Sequence, residues 1–156
     1  MFVKLSDQMC NAKKIKIWSR MIFEHRRNFP DEPIMAYMYV SSPVKAITGI
    51  VYLDKRHCLS DWLEEYKEDS NAIARIKEYM ETYHYRYAME IAKFQETSKI
   101  SLDDLRKNVP EFVAPQMYIY LDNTELLKYI ESNLKMKDVY VEHLFDGING
   151  SQVCVH

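Results

Sequence analysis

The 156-residue sequence predicts an α+β fold in which short strands curl into a small mixed barrel with helices packed around it. The predicted order, β-α-β-β-β-α-α-β-α-β-α, does not alternate strands and helices regularly, which excludes a doubly wound parallel sheet. The composition, 47% hydrophobic and 28% charged, is that of one globular domain. With 3 glycines and 5 prolines, the chain does not have a disordered or collagen-like composition.

The first third of the chain predicts one helix and four strands. The strands are expected at residues 2–5, 23–27, 34–40 and 46–53, from apolar alternation or from runs of β-branched and aromatic residues. Ser6 is placed to cap a helix that runs to about Trp18. Pro43 ends the third strand because proline cannot donate to a ladder.

The rest of the chain predicts four helices and three strands. The helices are expected at 61–69 behind Ser60, at 71–83 behind Ser70, from Ser101 onward, and at 122–134 behind Asp122. The strands are expected at 85–91, 113–120 and 139–145, and residues 147–156 at the end of the chain are expected to form a loose tail. Trp18 and Trp62 are expected to anchor helices on the sheet, and His25 to be a core histidine.

Several function classes lack their motifs in this sequence. The three glycines, Gly49, Gly147 and Gly150, form neither a GxGxxG nor a P-loop, and no CxxC or HExxH metal pattern occurs. We therefore expect no metal and no cofactor. The 3 separated cysteines predict no disulfide framework and a reducing cytoplasm. No segment reads as a signal peptide or a membrane span, so no membrane contact is expected.

The charge distribution is uneven although the net charge is −2. In residues 1–29 the basic side chains outnumber the acidic ones by five, seven against two. This pattern predicts a positive surface on an acidic body, with a solvated lysine-rich helix as the alternative.

Five segments together resemble ASCH domains, which are members of the PUA-like superfamily. The segment 23–27, Phe-Glu-His-Arg-Arg, is similar to the family's YEFRK, and residues 39–49 are similar to its Y-x-S-S-P-x-x-x-I-x-G. Further on, residues 87–91 resemble YAIEI, residues 100–105 resemble ISLEEL, and Pro115-Gln116 resembles PPQ. The resemblance spans about residues 1–121 and implies a PUA-like β-barrel. Residues 122–156 are then expected to be a helical extension and tail packed on the same domain.

One departure from the family pattern bears on catalysis. The family has G-x-K before YEFR, whereas this chain has Ser19-Arg20-Met21. Small relatives that hydrolyse modified cytidine use that lysine with a nearby threonine and a glutamate. The missing lysine argues against a nucleophile or base activated in that way. Glu24 and Glu90 are the remaining candidate general bases for a hydrolase.

Each candidate binding residue has a structural alternative. Glu24 and Arg26 lie two apart in a strand and share a face, either as a charged pair lining a cleft or as a surface ion pair. Ser41 and Ser42 either receive an anion or only satisfy a turn. The tyrosines considered for stacking on a base, with a place in the core as the alternative, are Tyr39, Tyr118 and Tyr120. The residues expected to bind are Lys13, Lys14, Lys16, Arg20, Glu24, Arg26, Ser41, Ser42, Lys45 and Gln116.

The leading functional prediction is a module that binds RNA or a nucleotide-like ligand in a basic cleft of the barrel. One alternative is a hydrolase in the same cleft, acting on a modified nucleoside or as a ribonuclease. Another is a transcription-related regulatory or interaction protein. A homodimer formed through residues 122–156 is a further possibility for the partner.

Overall fold

The computed structural model describes residues 2–5, 22–114 and 118–154, and side chains from residue 22 onward. The strands are β1 Phe2–Leu5, β2 Phe23–Arg26, β3 Ile34–Val40, β4 Ala46–Cys58, β5 Tyr87–Ser101, β6 Tyr118–Ile119 and β7 Met136–Glu142. The helices are α1 Leu59–Glu65, α2 Ser70–Glu81, α3 Leu102–Asn108, α4 Glu125–Asn133 and α5 Gly150–Val153. The predicted helix from Ser6 to Trp18 lies outside the described residues.

The seven strands form one curled sheet with the order β2-β5-β4-β3-β1-β6. β2 and β7 both pair with the edge of β5 that faces away from β4. β2 pairs with residues Tyr87–Glu90 of β5, and β7 pairs with residues Lys93–Thr97. β1 runs parallel to β3, and the other described pairs are antiparallel. Among the described strands no pairing joins β2 to β6, so the sheet is a curled half-barrel with helices around it. The predicted α+β class is confirmed.

Alternation along β5 gives the sheet two packed faces. Met89, Ile91 and Phe94 belong to a core cluster that includes Met38 and Val51. Ala88, on the opposite face, belongs to a cluster with residues from α1, α2 and the chain end, namely Leu59, Trp62, Ile76, Tyr79 and Val153. A third cluster joins Ile47, Ile50 and Ile100 of the sheet to Leu105 of α3 and to Leu126 and Ile130 of α4. The expectation that Trp62 anchors a helix is confirmed, since it is 2% exposed.

Three predicted helix caps are wrong. α1 begins at Leu59 behind Cys58, which makes no side-chain cap, instead of behind Ser60. α2 is capped by Asp69, whose carboxylate accepts from the amides of Asn71 and Ala72. α4 is capped by Thr124. The helix at α2 starts one residue earlier than predicted, so Ser70 is its first residue, and α4 starts later, so that Thr124 and not Asp122 directly precedes its first turn. The predicted start of α3 is confirmed, because Ser101 and Asp104 form a capping box.

Two strands are longer than predicted and one is shorter. β4 continues five residues beyond Leu53, and β5 continues to Ser101 instead of ending at Ile91. Polar side chains hide the apolar strand pattern in both extensions. The backbone N–H and C=O groups there are nevertheless satisfied by pairing within the sheet. The predicted strand at 113–120 is reduced to Tyr118–Ile119 among the described residues.

The end of the chain is not a loose tail. Asn149 caps α5, and Val153 and Cys154 are 0% and 1% exposed. His25 Nε2 lies 2.8 Å from the carbonyl oxygen of Val153, so His25 is a buried, hydrogen-bonded histidine as predicted. The segment closes the core over β2 through a contact between residues 128 positions apart. No helix within the described ranges is long and apolar enough to cross a membrane.

Candidate functional site

The register of three strands brings two predicted site residues together on one face. Glu24 pairs with Met89, and Arg26 pairs with Tyr87. Arg56 of β4 also pairs with Met89. Residues directly opposite each other in a sheet point to the same side, and so do residues two apart in one strand. We call the group Glu24, Arg26, Arg56, Tyr87 and Met89 the arginine face.

Glu24 and Arg26 form a close ion pair at low exposure. Glu24 Oε1 lies 2.5 Å from Arg26 Nη2, and the two side chains are 8% and 16% exposed. Burial raises the pKa of Glu24 above its ordinary value, and the positive charge of Arg26 offsets part of that rise. The pair is therefore not the exposed surface ion pair given above as the alternative. A partly desolvated charge pair interacts more strongly with a ligand than the same groups in water.

Arg56 adds a second guanidinium to this face. Its Nη1 donates to the carbonyl oxygen of Phe29 at 2.8 Å, and its Nη2 lies 3.0 Å from Asp31 Oδ1. The guanidinium carbon lies 4.5 Å from the centre of the Tyr87 ring, a cation–π contact. Tyr87 thus lies between its strand partner Arg26 on β2 and Arg56 on β4.

Sequence reasoning missed Arg56 because the predicted strand ended at Leu53. A strand extended by five residues places Arg56 and His57 on opposite faces, which is what the structure has. Tyr87 was recognised only as part of a motif. No side-chain role followed from the motif, since the neighbours of Tyr87 on β2 and β4 depend on the pairing.

Glu90, the second candidate general base, lies on the other face of the sheet. It pairs with Phe23, and its Oε1 lies 2.8 Å from His57 Nε2. The His57 ring also contacts Phe23 edge-on at 5.6 Å and Trp62 at 5.4 Å. Glu24 and Glu90 therefore do not converge on one site.

His57 borders a pocket at the junction of β4 and α1. The pocket has a volume of about 320 Å³ and is lined by Asp31, Lys55, Arg56, His57, Cys58, Asp61, Trp62 and Glu65. Three acids and two bases make its wall mixed in charge instead of basic. Among residues 22–114 and 118–154, no three histidine, cysteine or acidic side chains are grouped so that they could hold a metal ion.

The double-serine turn lies at the other end of β5 from the arginine face. Lys45 donates its backbone N–H to the carbonyl oxygen of Ser41 at 2.9 Å, and the Lys45 carbonyl accepts from Leu102 at 2.8 Å. Ser42 and Lys45 are exposed, Ser41 is half-buried, and Lys45 has a φ of 46°. Since Ala46 pairs with Ser101 while Glu24 pairs with Met89, the turn is twelve positions farther along β5. Convergence of the two regions on one cleft stays a prediction.

Five predicted binding residues lie outside the described part of the chain. They are Lys13, Lys14, Lys16, Arg20 and Gln116. Of the tyrosines considered for stacking, Tyr39 is 3% exposed and belongs to the core, whereas Tyr120 is 58% exposed.

Three solved structures with a similar fold are forms of ASCH from Zymomonas mobilis. ASCH from Zymomonas mobilis aligns with a TM-score of 0.63 and 20% identity, over 86% of this chain and 94% of that chain. This chain has the ASCH fold. Two point-mutant forms of the same protein align with TM-scores of 0.63 and 0.62 at 20% and 21% identity, covering 97% and 95% of those chains. Each of the two alignments covers 86% of this chain. No protein-family model matches the sequence, and no curated protein matches it.

The predicted ASCH fold is thereby confirmed, and the segments that predicted it occupy defined places. The 23–27 segment provides β2, residues 39–49 span the end of β3 and the start of β4, and residues 87–91 open β5. Ser101 caps α3 within the fourth segment. In this ASCH fold the first and third segments lie side by side and form the arginine face.

Proposed function

We propose that this chain binds single-stranded RNA or a nucleotide-like ligand on the arginine face. The observation that carries the proposal is that the Arg56 guanidinium lies over the ring of Tyr87, whose strand partner Arg26 forms an ion pair with the buried carboxyl of Glu24. Guanidinium groups hold phosphate oxygens in a planar fork, and tyrosine rings stack on bases. The fold supports the same class of ligand, because PUA-like domains are generally RNA-binding.

Each residue of the face has a distinct task in the proposal. Arg26 contacts a phosphate, while Arg56, already tied to Phe29 and Asp31, holds Tyr87 in place. Tyr87 stacks on a base. Glu24 keeps Arg26 extended and offers its oxygens to the amino groups of a base edge.

The basic N-terminal residues and the serine turn extend this proposal. Lys13, Lys14, Lys16 and Arg20 supply further phosphate contacts along the chain of the RNA. Ser41, Ser42, Lys45 and Gln116 contribute polar contacts farther along an RNA chain, since the serine turn lies at the other end of β5 from the arginine face. These assignments rest on the sequence, and the affinity they add is sensitive to salt because phosphate contacts release counterions.

Fluorescence anisotropy with a short labelled single-stranded RNA at several salt concentrations tests the proposal. Arg26→Ala should weaken binding and lower the slope of log affinity against log salt by about 0.7. Arg106→Ala removes the same charge from an exposed position on α3 and serves as the matched control. Equal affinity of the two variants, or binding that does not respond to salt, would contradict the proposal.

Hydrolysis is a second candidate function, favoured by the bond between His57 and Glu90. A carboxylate bonded to one imidazole nitrogen fixes the orientation of the ring, as a general base requires. This activity would use the pocket at β4 and α1, which shares only Arg56 with the arginine face. Incubation with acetylated cytidine and with short RNAs, followed by chromatography, tests it. Product formed by the wild type and lost in His57→Ala supports hydrolysis, and unchanged substrate contradicts it.

A further inference from the structure

A column of three nearly parallel rings runs from the core to the surface next to β2. The His25 and Tyr85 rings are inclined by 24° with centroids 6.5 Å apart, and the Tyr85 and Tyr83 rings by 19° at 5.6 Å. Tyr79 meets all three edge-on, at 4.6 Å from His25, 5.9 Å from Tyr85 and 5.8 Å from Tyr83. Offset parallel and edge-to-face contacts are the preferred arrangements of aromatic rings.

Exposure increases along the column. His25 is 7% exposed, Tyr85 is half-buried, and Tyr83 is 43% exposed. The inner rings are fixed by the hydrogen bond from His25 to the Val153 carbonyl and by the Tyr85 N–H, which donates to the Tyr79 carbonyl at 3.1 Å. The outermost ring is thus held in a defined orientation while much of it meets solvent. Such a ring loses little conformational entropy when another flat group packs on it.

Two exposed arginines accompany the outer end of the column. The Arg86 N–H donates to the Arg26 carbonyl at 3.0 Å, so Arg86 and Arg27 lie side by side where β2 ends and β5 begins. Both side chains are exposed, and neither forms an ion pair with any residue that the structure describes. Glu81 is the acidic residue closest to Tyr83 in sequence, so Arg27, Arg86 and Glu81 together carry a net positive charge.

We propose that Tyr83 is a stacking platform for a base of single-stranded RNA, with Arg27 and Arg86 contacting the flanking phosphates. The base is the next ring of the column, and the two cations without an ion-pair partner favour an anionic chain over a peptide. This combination of aromatic rings and cations is what single-strand binders use without reading sequence. The inference rests on the proposed function and adds a second subsite, which lies on the opposite side of β2 from the arginine face because Arg27 follows Arg26 and alternates to the other face.

RNA carrying 2-aminopurine tests the platform directly. Stacking quenches 2-aminopurine, so the wild type should quench an oligonucleotide of about six nucleotides that carries the probe. Tyr83→Ala should abolish that quenching and weaken binding about 5- to 150-fold, the range that loss of one stacked base gives. Tyr83→Phe keeps the ring and should retain both signals within about twofold. Tyr140→Ala is the matched control, because Tyr140 on β7 is 54% exposed against 43% for Tyr83.

A mononucleotide separates this inference from the proposal on which it rests. A 5′-mononucleotide reaches one subsite, so Arg26→Ala should weaken its binding and Tyr83→Ala should not. If Tyr83→Ala binds the oligonucleotide as tightly as the wild type while Arg26→Ala does not, the platform is refuted and the arginine face stands. If the wild type binds neither molecule, both proposals are refuted. Thermal unfolding of each variant checks that the fold is retained.

Discussion

Glu24 Oε1 lies 2.5 Å from Arg26 Nη2, and Glu24 as a whole residue is 7% exposed. A buried ion pair does not contribute much to stability by itself, because removing two charges from water costs about as much as their attraction returns. The observation that burial raises the pKa of Glu24 despite the neighbouring guanidinium is consistent with that cost. A pair retained under these conditions is better explained by binding than by stability, which is the reason for placing the ligand here.

The raised pKa of Glu24 predicts a pH dependence that Glu24→Gln removes. The folded state holds the proton more tightly than the unfolded state, so the contribution of Glu24 is fully present below its ordinary pKa of 4.5. It is lost as pH rises through the raised pKa. The free energy of unfolding of the wild type should therefore fall relative to that of Glu24→Gln as the pH rises above about 4.5.

Urea unfolding at several pH values measures this difference. Glu125→Gln makes the same chemical change at an exposed position of α4 and shows what the substitution alone does. A constant difference between the wild type and Glu24→Gln across the range would contradict the assigned burial.

Arg56→Ala should destabilise the fold more than loss of an exposed arginine. It removes the 2.8 Å bond to Phe29, the contact with Asp31 and the cation–π contact with Tyr87. The ion pair with Asp31 is largely exposed and contributes little to stability. The bond to Phe29 and the contact with Tyr87 should therefore account for a loss of about 1–3 kcal/mol in the free energy of unfolding. Chemical denaturation measures it, with Arg106→Ala expected to stay within about 0.5 kcal/mol of the wild type. Equal stabilities of the two variants would refute the role given to Arg56.

Gly49→Ala should destabilise the sheet by overpacking. A Cβ at this position would lie 2.6 Å from Cε2 of Phe94 and 2.9 Å from the backbone oxygen of Gln95. Phe94 is 0% exposed and cannot move without disturbing the core, so we expect a loss of about 1–3 kcal/mol. A thermal melt that matches the wild type would show that β4 and β5 are packed less closely than described.

Cys154 should resist alkylation in the folded protein. It is 1% exposed, and burial raises the pKa of its thiol from 9.0 to about 12. At pH 8 this lowers the thiolate fraction about 1,000-fold relative to the unfolded chain, and the thiolate is the reactive form. Iodoacetamide followed by peptide mass mapping should label Cys154 only after denaturation. Rapid labelling of the native protein at Cys154 would mean that the chain end is not docked.

Local sequence pattern predicted those parts of the fold in which one residue and its near neighbours decide the structure. The place of β2 follows from alternation and that of β3 from an apolar run, and the Ser101–Asp104 capping box follows from residues three apart. The second half of β5 could not be predicted in that way. There Gln95 Nε2 donates to the Lys137 carbonyl at 2.5 Å, so a polar side chain takes part in the sheet through a strand far along the chain.

The candidate site was predictable to a similar extent. The spacing of Glu24 and Arg26 showed that they share a face, because alternation in a strand is local. The contributions of Arg56 and Tyr87 depend on the pairing of β4, β5 and β2, and the docking of Val153 on His25 joins distant parts of the chain. No periodicity within a short window contains that information.

Amide chemical-shift mapping of the 18.6 kDa protein, while a short single-stranded RNA is added, tests binding on the arginine face most directly. Among assigned amides of residues 22–114 and 118–154, we expect the largest shifts on β2, on Arg56 and on Tyr87–Met89. Shifts confined to α4 and β7, or no shifts at RNA concentrations far above the protein concentration, would contradict it.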